Sequence, residues 1–211
     1  MRSASFRIRI AMMCVGWGTV GLCYAIGSLT PRAVHVLQET ALDRLIPFNV
    51  SAIGLYLSFF LLVPVAYLFA APARLKSLMF AMQLSAVLAA IVFVLYPTTL
   101  IYPVASSSTP GGAVLNMLAG FDSSNNCLPS LHGALTLLCV VALWQREKMW
   151  RNIFMLLWAL GIAWAVVQTR RHLVLDLGAG LLLGAGCAWL AARVSKPENI
   201  MTFFRKLKCT S

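Results

Sequence analysis

Charge is scarce in this chain of 211 residues: Asp, Glu, Lys and Arg together make up 11% of it. A soluble globular domain carries about 25%. Apolar residues reach 60% and mean hydropathy is +0.83, which excludes a soluble protein and leaves no polar stretch long enough for an attached soluble module. Acidic residues number only six and histidines three. Each ionisable group at membrane depth therefore carries weight, because placing one in lipid costs about 2.5 to 3.5 kcal/mol on insertion scales. Metal-ligand and disulfide spacings are also missing, since Cys14, Cys23, Cys127, Cys139, Cys187 and Cys209 are scattered. Neither a metal nor another cofactor is called for. Cys127 has no base at a characteristic spacing, which argues against thiol catalysis.

What is present is a series of apolar runs, each able to cross a hydrocarbon core of about 30 Å with about 20 helical residues. Six are read, from about Ile8 to Leu29, Ser51 to Ala71, Ser77 to Tyr96, Leu131 to Gln145, Ile153 to Gln168 and Leu173 to Ala192. The fourth and fifth are short, so they are expected to extend through their flanking residues. The expected fold is all-α, a six-transmembrane-helix bundle. It forms a single membrane-embedded domain over 1–211, with its core at about 43–192. The first run is too long for a signal peptide and lacks an Ala-x-Ala site, so it reads as an uncleaved helix.

The net charge of +11 raises nucleic acid as a partner, but the distribution of cations points elsewhere. With both termini cytoplasmic, thirteen of the seventeen Lys and Arg fall on the cytoplasmic side, as the positive-inside rule requires. The tail from Lys196 to Ser211, with Phe203, Phe204, Arg205, Lys206 and Lys208, suits an anionic inner leaflet. No nucleic-acid role is expected. The setting this implies is a multi-pass protein of a bacterial inner membrane.

Between the first two spans, Pro31 to Asn49 reads as an interfacial helix, with His35 a surface histidine. Pro97 to Asn126 reads as a loop with an amphipathic piece around Val114 to Leu118; at about thirty residues it is long enough to suggest function. Asp122, Asn125 and Asn126 are candidates for turns or substrate contact. In the sixth span Gly180 and Gly184 form a small-xxx-small pair, read as packing inside the bundle rather than a dimer seam. Oligomeric state stays open.

Two polar islands interrupt the oily chain: Asn126-Cys127-Leu128-Pro129-Ser130-Leu131-His132 and Thr169-Arg170-Arg171-His172-Leu173-Val174-Leu175-Asp176. Both stand at helix mouths on the outer, periplasmic side, where His132 and His172 can converge. Asp176 lies one turn below His172 on the same helix face. It can hold one imidazole nitrogen and leave the other free as a nucleophile toward phosphorus. Arg170 and Arg171 offer forked donors for phosphate oxygens, and Ser130, Asn126 and helix-start amides can complete the cup. His132 is placed to protonate the leaving oxygen and later deprotonate the acceptor.

Pro129-Ser130-x-His132 and His172-x-x-x-Asp176 resemble the second and third signature motifs of the type 2 phosphatidic acid phosphatase superfamily. Leu131 between Ser130 and His132, and the Thr169-Arg170-x-His172 spelling, resemble the branch that includes inositol phosphorylceramide synthases. Asp43-Arg44-Leu45-Ile46-Pro47-Phe48 and Tyr96-Pro97-Thr98-Thr99 add context. The resemblance implies a metal-independent, six-helix lipid phosphatase or phosphotransferase with His172 as nucleophile, Asp176 as its orienter and His132 as acid. Two departures stand out. The Lys and Arg-Pro of the first motif are missing, with Tyr102-Pro103 near the expected place. Val166 stands where a third-motif Arg is usual, so Arg170 or Arg171 takes that role, and a single phosphomonoester or phosphodiester fits better than a pyrophosphate.

The expected partners are a lipid phosphate substrate and water or an alcohol as acceptor, with a head-group phosphotransferase as the alternative. A bis-histidine haem protein is disfavoured because both histidines lie near the membrane edge beside Arg and Asp. A small transporter is disfavoured because mid-span positions are nearly all Leu, Val, Ala, Phe and Met.

Overall fold

A computed structural model describes residues 5–29, 34–121 and 125–194. The expectations for Asp122 and for the basic tail from Lys196 lie outside the described residues. The chain is mostly helical. Helix α1 spans Phe6–Ser28, α2 Ala41–Leu45, α3 Ile53–Leu57, α4 Phe59–Phe69 and α5 Pro72–Leu95. They are followed by α6 Pro110–Phe121, α7 Leu131–Leu143, α8 Met149–Gln168 and α9 Val174–Val194.

Among the described residues, five segments are long and apolar enough to cross a membrane: α1, Val50–Phe69, α5, α8 and α9. They make this a multi-pass membrane protein. The fourth of the six expected spans is the shorter apolar helix α7, whose thirteen residues reach only about 20 Å as helix, short of a core of about 30 Å. It does not extend through its flanks, because both of its ends are satisfied locally. Ser130 caps the start by accepting from Gly133 N at 3.2 Å. At the far end Arg74 donates to the carbonyls of Val141 and Trp144, and Arg151 to that of Leu143. Ten of the thirteen residues of α7 are buried, whereas the spanning windows are 22% to 44% buried. Helix α7 is thus a central post, packed on α4, α5, α8 and α9.

Glycine decides how close α9 comes to that post. A Cβ on Gly180 would collide with the carbonyl oxygen of Ser130, and one on Gly184 would sit 2.7 Å from that of Ala134. Hence the Gly180/Gly184 pair packs inside the bundle, as expected. We predict that Gly180→Ala displaces the start of α7 from α9, destabilising the protein by about 1 to 3 kcal/mol and lowering activity at least tenfold. Thermal unfolding in detergent and a turnover assay check both.

The end of the bundle that bears the histidines is closed by backbone pairing, which corrects the interfacial-helix reading of Pro31 to Asn49 over its described residues 34–49. His35–Val36 (β1) runs parallel to Thr98–Thr99 (β2), and among residues 34–49 only Ala41–Leu45 is helical, its start fixed by a Thr40/Asp43 capping box. β-Branched Val36, Thr98 and Thr99 suit the extended backbone. His35 is exposed and stacks on Tyr96, ring centroids 4.1 Å apart. On its other side Thr98 bridges Asn126, and its hydroxyl accepts from Leu128 N at 2.8 Å. A minimal ribbon therefore holds the first polar island in place. The piece expected around Val114 to Leu118 is the middle of the longer α6.

Candidate active site

The two islands meet. His172 Nδ1 lies 2.8 Å from Asp176 Oδ2, and His172 Nε2 lies 3.2 Å from His132 Nδ1. This sets Asp176, His172 and His132 in one line of hydrogen bonds. Asp176 is fully buried in the first turn of α9, where the helix dipole favours a negative charge. Its Oδ1 accepts from Leu173 N at 2.6 Å and Leu177 N at 2.9 Å, so the carboxylate cannot rotate without losing backbone partners. With the carboxylate accepting, His172 carries its proton on Nδ1 and Nε2 presents a lone pair. His132 stands against an aromatic wall, 4.6 Å from Phe59 and 5.2 Å from Tyr56 between ring centroids.

The approach to His172 is a sharp turn at the end of α8. Arg170 has φ 52°, the left-handed conformation that commonly ends helices and usually falls to glycine. A dense set of bonds holds it there. Its Nε donates to Glu39 Oε1 at 2.9 Å, Nη1 to Val167 O at 3.0 Å, and Nη2 to Asp43 O at 3.0 Å and Ile46 O at 2.7 Å. Arg170 thereby ties the α2 segment to the turn. Arg171 is also buried, 5% exposed, with its guanidinium 4.9 Å over the Tyr102 ring, a cation–π distance. The Tyr102 hydroxyl lies 3.2 Å from Cys127 Sγ.

Of the other expected site residues, Ser130 is fully buried as the cap of α7, and its N donates to Asp176 O at 3.0 Å. Asn126 sends its amide Nδ2 to Tyr24 O at 2.8 Å and Ser28 Oγ at 3.3 Å, pinning the island to α1. The two histidines and Asp176 thus come together and Arg171 packs over Tyr102, whereas the guanidinium of Arg170, the hydroxyl of Ser130 and the amide nitrogen of Asn126 engage the protein's own scaffold.

Three residues escaped the sequence reading as site components: Glu39, Asp43 and Tyr102. Asp43 is fully buried; its Oδ2 accepts from Thr40 N and Oγ1, and its Oδ1 from Val174 N at 2.7 Å. It thus caps α2 and the start of α9 together. Burial pushes its carboxyl up, but hydrogen bonds from Thr40 and Val174 and the nearby Arg170 outweigh this and hold it below the ordinary value. A depressed carboxylate contributes stability that is present above the unfolded value near pH 4 and is lost as pH falls below it. Asp43→Ala is expected to cost about 2 kcal/mol, a Tm drop of about 4 to 8 °C. Below pH 4 the gap to the parent should shrink, which a pH series of melts would show.

A family profile described as the PAP2 superfamily matches residues 29–190. The chain belongs to the PAP2 superfamily. Membership fits a phosphatase or phosphotransferase, and with the apolar helices it fits a membrane-embedded lipid phosphate substrate. No match was found among curated proteins or among solved structures.

Proposed function

We propose that this protein is a metal-independent lipid phosphatase or phosphotransferase that works at the outer leaflet through a phosphohistidine. The observation that carries the reading is the line of buried Asp176, buried His172 and half-buried His132. A lipid phosphate enters between the two imidazoles, replacing their mutual hydrogen bond. His172 Nε2 attacks phosphorus while the bond to the lipid oxygen breaks, and protonated His132 gives that oxygen its proton. Neutral His132 then takes a proton from water or an alcohol, whose oxygen attacks the phosphohistidine and frees His172. Arg171, next to the nucleophile in the sequence, is the residue assigned to the charge that spreads over the phosphoryl oxygens. Arg170, Ser130 and Asn126 act as positioning residues, since their polar groups hold the turn, α7 and the island.

The outward orientation rests on charge. Arg9 donates to Tyr67 O and Ala70 O, so with Arg74 and Arg151 it gathers at the end of the bundle opposite the histidines. Basic ends face the cytoplasm, which turns the histidines toward the periplasm. One observation favours transfer to a polar head group as a second reading. A cavity of about 360 Å³ lined by Gln38, Glu39, Arg44, Arg170 and Leu173 opens beside the His172 turn and has the mixed polarity a hydroxylated acceptor needs.

The test is release of inorganic phosphate from a panel of lipid phosphates by purified protein in EDTA, repeated with alcohols added. Release without metal supports the phosphatase, and phosphorylated alcohol the transferase. Activity that needs an added divalent ion would overturn the proposed mechanism.

A further inference from the structure

At the end of the bundle opposite the histidines, a cavity of about 410 Å³ opens between α5, α7 and α9, within the range of about 300 to 1,000 Å³ common for ligand sites. It exists because the facing walls are cut back to methyl groups: Ala81 of α5, Ala142 of α7, and Ala188 and Ala192 of α9. Val141 also lines it and is 46% exposed, so the cavity opens sideways onto the lipid-facing surface. Its polar lining comes from one end, where Arg74 and Ser77 stand in the first turns of α5 and Trp144 caps α7. Arg74 sends Nη1 to Val141 O at 2.7 Å and to Trp144 O. Its Nε and Nη2 have no acceptor among the described residues, and no acidic side chain there pairs with it. The Ser77 hydroxyl and Trp144 Nε1 likewise make no hydrogen bond among the described residues.

The same end carries Lys76, Arg146, Lys148, Arg151 and Arg193, with Glu147 as its single carboxylate among the described residues. An apolar groove open to lipid, with a guanidinium, a hydroxyl and an indole N–H at one end, complements a molecule that joins a hydrocarbon chain to a phosphate. Tryptophan suits the level at which lipid head groups begin. The surrounding cations favour a head group of net negative charge, because a zwitterionic one adds an ammonium that they repel. We propose that an anionic phospholipid of the adjoining leaflet binds here, its phosphate on Arg74 and Ser77 and one acyl chain between the alanines of α5, α7 and α9. With the orientation proposed above, that leaflet is the inner one. Arg74 also holds the carbonyls that end α7, so the phosphate that fixes its guanidinium steadies the central post.

The test melts the full-length protein in nanodiscs of phosphatidylcholine, with and without phosphatidylglycerol. A ligand that binds only the folded state raises Tm, and phosphatidylglycerol is expected to raise that of the parent by about 5 °C or more. Arg74→Gln and Ala188→Phe should each lose this rise, whatever their own melting temperatures. Lys76→Gln, which removes an exposed cation of α5 outside the cavity lining, should keep it. Equal losses in Arg74→Gln and Lys76→Gln would mean diffuse surface charge, and a rise that survives in Arg74→Gln and Ala188→Phe would place the lipid elsewhere, the histidine site included. Either result overturns the proposal, as does no rise in the parent or an equal rise from soluble glycerol phosphate, which has the head group without the chains. Native mass spectrometry decides for a variant too unstable to melt. One phosphatidylglycerol kept by the parent and by His172→Ala but lost from Ala188→Phe supports the site, and retention by Ala188→Phe overturns it. Neither readout needs turnover, so failure of the enzymatic reading would leave this one standing.

Discussion

His172→Ala is expected to abolish phosphate release, by about 10⁴-fold or more, the scale on which removal of a covalent nucleophile is felt. The fold should survive. Asp176 Oδ1 keeps its bonds from Leu173 N and Leu177 N, and only the Oδ2 partner is lost. Denaturing in alkali, where a phosphohistidine survives, after a brief exposure to lipid phosphate labelled in the phosphate should leave label on the parent and none on the variant. His132→Ala makes the contrast that isolates the roles. With a lipid phosphate it should fall by about 10²- to 10⁴-fold, yet with a leaving group that needs no proton, such as nitrophenolate, it should recover most of that loss. Label on His172→Ala, or equal damage to His132→Ala with both leaving groups, would remove the nucleophile and acid assignments respectively.

The two histidine islands were legible because chemistry at a membrane edge needs rare residue types at fixed spacings. Asp176 falls one turn from His172, and little else in the chain is charged. What linear spacing does not carry is which donors remain available once the chain has folded. Arg170 and Arg171 are equivalent in sequence, but Arg170 takes the left-handed position that ends α8, and four bonds then fasten it to Glu39, Asp43, Ile46 and Val167. Ser130 and Asn126 behave likewise, since a helix start and a loop crossing α1 each leave polar groups to satisfy. Asp43 was visible as a residue of the expected surface helix and of the Asp43–Phe48 segment, without its tie to α9. Its bond to Val174 spans 131 positions, beyond any periodicity.

Hydropathy had a similar limit at α7. An apolar run reads alike whether lipid or protein surrounds it, and here four packed helices and two arginines at its end allow the helix to stop early. The short central post leaves His132 half-buried at its start, against Phe59 and Tyr56.

Asp176→Asn is the second large effect, and its cause is the tautomer rather than lost charge alone. Leu173 N and Leu177 N both point at Oδ1, so an asparagine must present its oxygen to them and its NH₂ to His172 Nδ1. An amide donor at that nitrogen makes Nδ1 an acceptor and moves the imidazole proton to Nε2. The lone pair that should attack phosphorus is then occupied. Where a buried carboxylate orients a catalytic histidine, the same replacement lowers turnover by about 10⁴-fold with geometry intact. A loss of about 10³- to 10⁴-fold in phosphoenzyme formation is expected here, with a near-parental melt because two of the three hydrogen bonds persist. Asp176→Ala should be less stable, since the amides of Leu173 and Leu177 lose their side-chain acceptor, while its activity need not be lower. If Asp176→Asn retained more than a tenth of parental activity, His172 would not depend on Asp176 for its tautomer and the nucleophile would have to be sought elsewhere in the line.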